Sequence, residues 1–344
     1  MNGLCKTKNH SMRKFKKLYW AIIGSGDVVQ RLVKNSFNYK NYSEPVIVIS
    51  KKINEAKLFC KKYNIKNYSN RIQDIKKFSH VNCAYIATPP NSHYMYIKML
   101  SNLKMNLLCE KPLVANNKEL NSVKKLIKKN KTNLVTCYYR RHLDRFKFIK
   151  ELLLKKKIGK ILFFRTSFIH TPFSHPVAKI NKKKKIPWRF IKSFSGGGNF
   201  VDMGTHAVDM IDYLLGEITE VKAYKSNHQG LYKVEDTMIV NFLLKNGISG
   251  QGTWCSVATE NEDKFEIYGS KGCIKFSMNK NPAVELKIKN KIYRKRISFE
   301  RPHHKNIIRD TIRLFCEKSG KKNFLYSENG FKACKVQFNA YKSS

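Results

Sequence analysis

Three side chains in two short motifs have types and spacings suited to acid–base chemistry. Asp202 and His206 lie four residues apart in GGGNFVDMGTHAVDM (196–210), so on a helix they share one face about one turn apart. An imidazole exchanges protons near neutral pH, and a carboxylate one turn away can orient and tune it. Lys111 stands in CEKP (109–112), directly after an apolar strand, where the strands of a doubly wound sheet face the ligand crevice. The two motifs therefore predict a reactive centre at that crevice.

Each motif also has a structural interpretation that the sequence leaves open. An Asp/His pair at this spacing often serves helix packing, and a lysine after a strand is often an exposed turn residue. The glycines at 196–198 favour the ligand interpretation, because they let the backbone approach a bound molecule closely. Asp209 is expected to support or pack the helix. No third ligand lies at a spacing typical of zinc, so we predict no metal site.

A glycine turn after the first apolar strand predicts a dinucleotide site. GSGDVV (24–29) follows the apolar run Leu18–Ile23 and opens a helical pattern over residues 28–37. Backbone N–H groups at such a turn face a pyrophosphate at the helix N-terminus. Val29 replaces the third glycine of the usual fingerprint, which weakens the motif taken alone. The residues expected to contact the cofactor here are Gly24, Ser25, Gly26, Asp27 and Val28.

The residues after the second apolar strand bear on the choice of cofactor. An acidic residue at this place binds the ribose hydroxyls of NAD, whereas a small polar residue followed by a cation accepts the 2′-phosphate of NADP. The sequence has Ser50 and Lys51 there, which favours NADP(H). Lysine is abundant throughout the chain, so the absence of an acid is stronger evidence for NADP(H) than the presence of Lys51. NAD(H) stays an alternative cofactor.

These motifs lie at the ends of strands in a regular alternation of strands and helices. Between residues 18 and 140, apolar runs such as PVIVIS (45–50) alternate with helical periodicity, which is typical of a doubly wound parallel sheet. From residue 141 long strands with hairpin-like turns predominate, and helices near 304–317 and 329–341 end the chain. We therefore predict an α/β protein. Residues 18–140 would bind the nucleotide, and residues 141–344 would form an α+β substrate-binding and oligomerisation domain with a large, mostly antiparallel open sheet.

The charge of the chain is strongly positive. Its 344 residues include 68 Lys and Arg against 24 Asp and Glu, a formal net charge of +44. Hydrophobic residues make up 42%, which is enough for a folded core and excludes intrinsic disorder as the main state. The lysines are spread along the whole chain, which favours an ordinary solvated surface over a nucleic-acid site. Non-specific, salt-sensitive attraction to polyanions is still expected.

The cysteines and the first residues bear on the compartment. The nine cysteines are odd in number and form no CxxC pair, which predicts buried thiols in a reducing cytoplasm rather than a disulfide scaffold or a zinc ribbon. No apolar run is long enough for a membrane span. Residues 1–17 form a basic leader without the apolar core of a signal peptide. Residues 1–11, which precede a second methionine at Met12, are expected to be dispensable for stability and activity.

Six motifs occur in an order that resembles the glucose–fructose oxidoreductase/inositol dehydrogenase (Gfo/Idh/MocA) family. They are GSGDVV at 24–29, ATPPNSH at 87–93, CEKP at 109–112, YYRRH at 138–142, PWR at 187–189 and GGGNFVDMGTHAVDM at 196–210. The similarity extends over about residues 18–340, and the stretch from Trp188 to GSKG at 269–272 looks most like anhydrofructose reductase-type and sugar-dehydrogenase members. The resemblance implies a Rossmann domain, a second domain whose open sheet often forms oligomers, and hydride transfer between nicotinamide and a sugar or polyol carbon.

The resemblance also implies roles for individual residues. Lys111, Asp202 and His206 match the catalytic set of the family, with His206 as the acid/base and Lys111 polarising the reacting oxygen. Further cofactor contacts are expected from Thr88, Pro89, Asn91, His93, Glu110 and Lys111. Substrate contacts are expected from Lys111, Arg141, Trp188, Arg189, Asp202 and His206. The alternative is a catalytically silent nucleotide-binding sensor or a polyanion-binding protein on the same fold, which the presence of all three catalytic side chains disfavours.

Overall fold

A computed structural model describes residues 17–39, 41–172, 186–316 and 323–344. The basic leader up to residue 16 lies outside the described residues, so its predicted dispensability stays a prediction. Residues 173–185, which precede the predicted substrate residues Trp188 and Arg189, also lie outside them. No helix of the described residues is both long and apolar enough to span a membrane.

Six parallel strands form the first sheet, as the alternation of strands and helices predicts. They are β1 (Leu18–Ile23), β2 (Ser43–Ile49), β3 (Asn67–Ser69), β4 (Cys83–Ile86), β5 (Asn106–Cys109) and β6 (Leu134–Thr136). Their order across the sheet is β3-β2-β1-β4-β5-β6. The order reverses between β1 and β4, and this reversal opens a crevice at the carboxyl ends of the strands, where ligands bind in doubly wound sheets.

Helices cover both faces of this sheet. They are α1 (Ile53–Tyr63), α2 (His93–Asn102) and α3 (Asn117–Asn130), with shorter helical turns at Val29–Val33, Ile72–Lys77 and Pro90–Ser92. The helix after the glycine turn is shorter than the periodicity over 28–37 predicts, and it has π-type hydrogen bonding. It ends where Lys34 takes a positive φ of 48°, a conformation that breaks helical hydrogen bonding.

The second sheet has eight strands and is antiparallel except for one pair. The strands are β7 (Ile161–Ile169), β8 (Ile218–Ser226), β9 (Thr237–Leu244), β10 (Ser249–Cys255), β11 (Glu262–Gly269), β12 (Gly272–Phe276), β13 (Ala283–Ile288) and β14 (Lys291–Arg296). Their order is β14-β13-β12-β11-β7-β10-β9-β8, and β7 pairs with β10 in parallel. This arrangement confirms the predicted α/β fold class with a large, mostly antiparallel second sheet.

Helices pack on one face of the second sheet and also bridge to the first. The helices of this part are α4 (Asp144–Leu154), α5 (Lys192–Ser195), α6 (Thr205–Leu214), α7 (Lys305–Cys316) and α8 (Asn323–Lys342), with short helical segments at Tyr139–His142, Trp188–Phe190 and Phe200–Gly204. Ile308 of α7 shares a buried cluster with Trp20 of β1. In α8, Cys334 packs with the core of the first sheet and Val336 with that of the second. The predicted domain boundary at residue 140 therefore stays a prediction, since both ends of the chain contribute to the first core.

Candidate active site

Two adjoining clefts lie at the carboxyl ends of the parallel strands. The first, of about 390 Å³, is bounded by the glycine turn and the end of β2. The second, of about 360 Å³, lies between the first sheet and the second sheet. Val28, Thr88, Trp188 and Arg189 line both clefts, so a ligand in one would reach a ligand in the other.

Most of the predicted cofactor residues line the first cleft. They are Gly24, Ser25, Gly26, Asp27, Val28, Ser50, Lys51, Thr88, Pro89 and Asn91. Gly24 has a φ of +101°, and a Cβ at this position would lie 2.7 Å from the carbonyl oxygen of Ala87. A Cβ on Gly26 would meet nothing within 4 Å, so this backbone is open to the cleft. The Ser25 hydroxyl donates to the Ser50 hydroxyl at 2.9 Å, which joins the two loops that would hold the nucleotide.

The first cleft also contains an acid that sequence reasoning missed. Glu55, in the first turn of α1, lines it and accepts a hydrogen bond from the Lys52 ammonium at 2.7 Å. The residues that directly follow β2 include no acid, but the first turn of α1 brings Glu55, the fifth residue after Ser50, back to the same edge.

The three predicted catalytic side chains all line the second cleft. The Lys111 ammonium donates to the Asp202 carboxylate at 2.9 Å and to the Asp202 carbonyl oxygen at 2.6 Å. Arg189 adds a second contact to this carboxylate at 3.4 Å. The side chains of Lys111 and Asp202 are only 14% and 18% exposed, so this ion pair is shielded from bulk water.

Asp202 and His206 lie in one continuous helical stretch, as the spacing predicts, but they do not pair. Among the described residues no hydrogen bond joins the two side chains, and the Nδ1 atom of His206 is buried without a partner. The Asp202 carboxylate therefore orients the Lys111 ammonium and not the His206 imidazole. Burial lowers the pKa of His206 well below 6.5, and the nearby cations Arg140 and Lys111 lower it further, so the imidazole is neutral at neutral pH.

The glycines before Asp202 are required by packing against other parts of the chain. A Cβ on Gly197 would lie 2.2 Å from the hydroxyl oxygen of Tyr341 in α8, and a Cβ on Gly198 would lie 2.4 Å from the carbonyl oxygen of Glu235. The Glu235 carboxylate accepts the Gly198 N–H at 2.9 Å. This packing lets the helix that carries His206 begin close to α8. The expectation that these glycines let a ligand approach stays a prediction.

Arg141, predicted to contact substrate, points away from the second cleft. Its guanidinium forms ion pairs with Asp209 at 2.7 Å and Asp212 at 2.8 Å. Its neighbour Arg140 lines the cleft beside His206. The pKa of Asp209 is raised to about 7 by burial, against the opposing effect of Arg141. Asp209 is thus paired with Arg141 and is not part of the lining of the second cleft, and its helix-supporting role stays a prediction.

His93 and Glu110 support the clefts from behind. The ring of His93 is fully buried between the carbonyl oxygens of Thr88, 2.8 Å away, and Pro112, 3.0 Å away, so it ties two cleft loops together. Glu110 accepts the Tyr85 hydroxyl at 2.6 Å and lies on the wall of the second cleft. His93 is placed to position the cofactor loops rather than to contact a cofactor.

Glu110 also belongs to the one group of metal-ligand type found among the described residues. Its carboxylate, the Cys137 sulfur and a ring nitrogen of His304 lie within 4.8 Å of one another, all buried. Burial is the largest influence on the pKa of His304 and lowers it to about 4. The carboxylate oxygen nearest His304 is the one that accepts from Tyr85, so this group is interpreted as a hydrogen-bonded support for the Lys111 loop.

The comparisons with known proteins agree with this architecture. Residues 18–138 match the oxidoreductase family with the NAD-binding Rossmann fold, and residues 146–275 match the GFO/IDH/MocA C-terminal domain. Oxidoreductase P35 of Formosa agariphila is 31% identical over 265 residues, which cover 76% of this chain and 79% of that protein. This chain belongs to the Gfo/Idh/MocA family of oxidoreductases.

Two solved structures of other proteins share the fold. Levoglucosan dehydrogenase in complex with NADH and levoglucosan superimposes with a TM-score of 0.77 at 20% identity, covering 96% of this chain and 98% of that one. An inositol dehydrogenase homologue complexed with NAD⁺, from Azotobacter vinelandii, gives 0.82 at 13% identity, with 96% of both chains covered. At these identities the likeness concerns the fold, and it confirms the two-sheet architecture expected from the sequence.

Proposed function

We propose that this protein transfers a hydride between a nicotinamide cofactor and the hydroxyl-bearing carbon of a sugar or polyol. The observation that carries the proposal is the place of Lys111, Asp202 and His206 in one cleft that adjoins the cleft of the glycine turn. A reacting carbon in the second cleft would then lie beside the end of a nucleotide held in the first. The names of relatives such as levoglucosan dehydrogenase support a sugar or polyol as substrate.

The first cleft fits a dinucleotide. It opens at the strand-order reversal, and the space above Gly26 leaves room for a pyrophosphate against the backbone. Gly24 permits the tight turn that a side chain would block against Ala87. A nicotinamide cofactor, when bound, supplies the hydride acceptor or donor.

His206 and Lys111 divide the remaining chemistry between them. In oxidation the neutral imidazole of His206 accepts the hydroxyl proton as the C–H electron pair leaves the carbon, and in reduction it returns that proton. Lys111 donates a hydrogen bond to the same oxygen and stabilises the negative charge that develops there. Asp202 holds the Lys111 ammonium in position through two oxygens, 2.6 and 2.9 Å away.

The test is a panel of sugars, inositols and ketoses assayed with both cofactors by the absorbance of reduced nicotinamide. Turnover by the wild type that is lost in His206→Ala supports the proposal. Tight binding of a cofactor without turnover of any member of the panel would favour the silent sensor instead. Cofactor binding that survives moderate salt is expected of the oxidoreductase and of the silent sensor. A polyanion-binding protein would lose its cofactor binding at the same salt concentration.

We further infer a preference for NADP(H) over NAD(H). Ser50 and Lys51 line the first cleft, and no carboxylate of the described residues pairs with Lys51, whereas Lys52 neutralises Glu55. A 2′-phosphate would therefore meet an unpaired cation at this edge.

Two charge-reversed variants test this preference. Lys51→Glu should weaken NADPH binding by about tenfold or more and leave NADH binding nearly unchanged. The control Lys61→Glu makes the same charge change on an exposed position of α1 outside the cleft. Dissociation constants by fluorescence titration decide the matter; wild-type protein that binds NADH about tenfold more tightly than NADPH would contradict the preference.

We also propose that the chain forms a homo-oligomer through the second sheet. Helices α4 and α6 pack on one face of this sheet, and the other face exposes Phe163 at 44%, Tyr224 at 73% and Leu243 at 41%. Several exposed apolar side chains on one face of a sheet are typical of a surface that meets a second copy.

A further inference from the structure

The guanidinium of Arg140 is buried on the wall of the second cleft with one donor nitrogen unused. The side chain is only 2% exposed. Its Nε donates to the carbonyl oxygen of Met278 at 3.4 Å, and its Nη2 donates to the side-chain oxygen of Asn279. Its Nη1 is buried without a hydrogen-bond partner. A guanidinium stays charged at any physiological pH, so this nitrogen needs an acceptor.

No carboxylate of the described residues forms an ion pair with Arg140. Asp202 on the same cleft is taken up by Lys111 and Arg189. Asp263, the acid beneath this region, accepts the backbone N–H groups of Met278 and Asn279, each at 2.8 Å, and thereby fixes the turn that holds Arg140. A buried cation without a counter-ion is unfavourable, and the side chain that carries this unpartnered nitrogen lines a ligand cleft.

The cleft as a whole has a surplus of positive charge. Its lining includes the cations Arg31, Lys111, Arg140, Arg189 and Lys280 against the acids Glu110 and Asp202, and of these cations Arg31 is paired with Asp27 outside the lining. Lys280, at the exposed end of the 278–280 turn, likewise has no acidic partner in the described part of the chain. A neutral sugar would leave both Arg140 and Lys280 uncompensated, whereas an anionic group would compensate them.

We propose that Arg140 binds an anionic oxygen group of the substrate, so that the substrate is an acidic sugar such as a hexuronic acid or a sugar phosphate. The inference rests on the proposed function for the site in which it lies. Arg140 would be an anchoring residue: it places the sugar ring so that the reacting hydroxyl reaches His206, which lines the same cleft. A site that hydrogen-bonds a charged group discriminates strongly against ligands that lack this group.

Matched sugars test the proposal in binding and in turnover. Glucose, glucuronate and glucose 6-phosphate, with the corresponding galactose series, differ only at the terminal carbon. Calorimetry on NADPH-saturated wild-type protein should show an acidic member binding about 10- to 100-fold more tightly than its neutral parent. Whichever of uronate and phosphate binds more tightly identifies the group. The same selectivity should appear in the ratio of kcat/KM values, which does not depend on the fraction of active protein.

Three variants separate anchoring from a structural role. Arg140→Gln should bring the acid-to-neutral ratio close to one, and Arg140→Lys should retain part of it. Arg294→Gln removes the same charge from an exposed position on β14 and should leave the ratio unchanged. Equal binding of acidic and neutral sugars by the wild type, or an unchanged ratio in Arg140→Gln, would overturn the proposal. Selective binding of acidic sugars without turnover would support the anchoring role of Arg140 and overturn the proposed oxidoreductase reaction. Turnover of neutral and acidic sugars without selectivity would support the oxidoreductase reaction and overturn the anchoring role.

Discussion

His206 is surrounded by features that oppose its protonation. Burial has the largest effect on its pKa and lowers it well below 6.5, and the charges of Arg140 and Lys111 lower it further. Oxidation needs the neutral imidazole as proton acceptor. The neutral form persists above the pKa and is lost only as the pH falls through it. The depressed pKa therefore keeps the base ready across the neutral and mildly acidic range.

We predict that the oxidation rate stays level through pH 6.5 and falls only at more acidic pH. His206→Ala should lower kcat by about 10²–10⁴ and abolish the acidic limb, with little change in cofactor affinity. Arg140→Gln should move the limb to higher pH, because it removes a cation that opposes protonation. The measurement is a pH–rate profile under saturating substrate. Near-wild-type turnover in His206→Ala would show that this imidazole is structural.

Motifs predicted three side chains that the structure brings into one cleft, but they did not predict how these side chains pair. Asp202 bonds to Lys111, more than ninety positions earlier in the chain, rather than to the imidazole one turn away. The sequence also could not tell Arg140 from Arg141, because adjacent residues in a short helical turn point in different directions. Asp209 and Asp212 on α6 draw Arg141 away from the cleft, and only the packing of α6 reveals this.

At the scale of elements, apolar periodicity predicted the strands of both sheets and the two helices that end the chain. It did not predict β3, whose three residues Asn67–Ser69 carry no apolar run. Nor did it predict that α7 and α8 return to the first sheet, since that contact depends on tertiary packing. The parallel pairing of β7 with β10 was missed for the same reason, because hairpin-like turns suggested antiparallel neighbours.

Two glycines of the nucleotide turn offer a matched test of how this element works. Gly24→Ala should lower the free energy of unfolding by about 1–3 kcal/mol, because its positive φ and the Ala87 carbonyl oxygen both oppose a Cβ. Gly26→Ala has open space around it and should keep the wild-type melting temperature, but weaken cofactor binding, because a methyl group would occupy the cleft. Thermal unfolding and cofactor titration separate the two effects. A Gly26→Ala variant with unchanged cofactor affinity would place the pyrophosphate elsewhere.

For the whole molecule, the open face of the second sheet predicts the state of assembly. Phe163 stacks on Tyr268 with ring centroids 4.5 Å apart, and Phe163 is 44% exposed. Phe163→Glu should therefore dissociate an oligomer that uses this face, because a carboxylate would be buried at the contact. Leu58→Glu, on α1 at 68% exposure, introduces the same charge on an apolar surface residue remote from the sheet. Light scattering after size-exclusion chromatography gives the mass; a wild-type monomer, or an oligomer unaffected by Phe163→Glu, would contradict the proposed interface.

The net charge of +44 acts on a larger scale than any cleft. Lysines spread over the whole surface attract polyanions through the summed field, and this attraction is entropic counter-ion release that salt suppresses. A dinucleotide held by the glycine turn depends instead on fixed backbone donors and steric fit, which salt weakens far less. The two kinds of binding therefore differ in salt dependence even though both ligands carry phosphates.

We predict that duplex DNA of any sequence binds at low salt and loses about 10³-fold or more in affinity between about 50 and about 200 mM salt. NADPH binding should fall by much less over the same range. Lys61→Glu should leave NADPH affinity unchanged, because Lys61 lines neither cleft. Anisotropy titrations with labelled DNA and fluorescence titrations with NADPH give the two slopes. DNA binding that depends on sequence and persists at high salt would contradict this view, because it would require a built nucleic-acid site rather than a diffuse positive field.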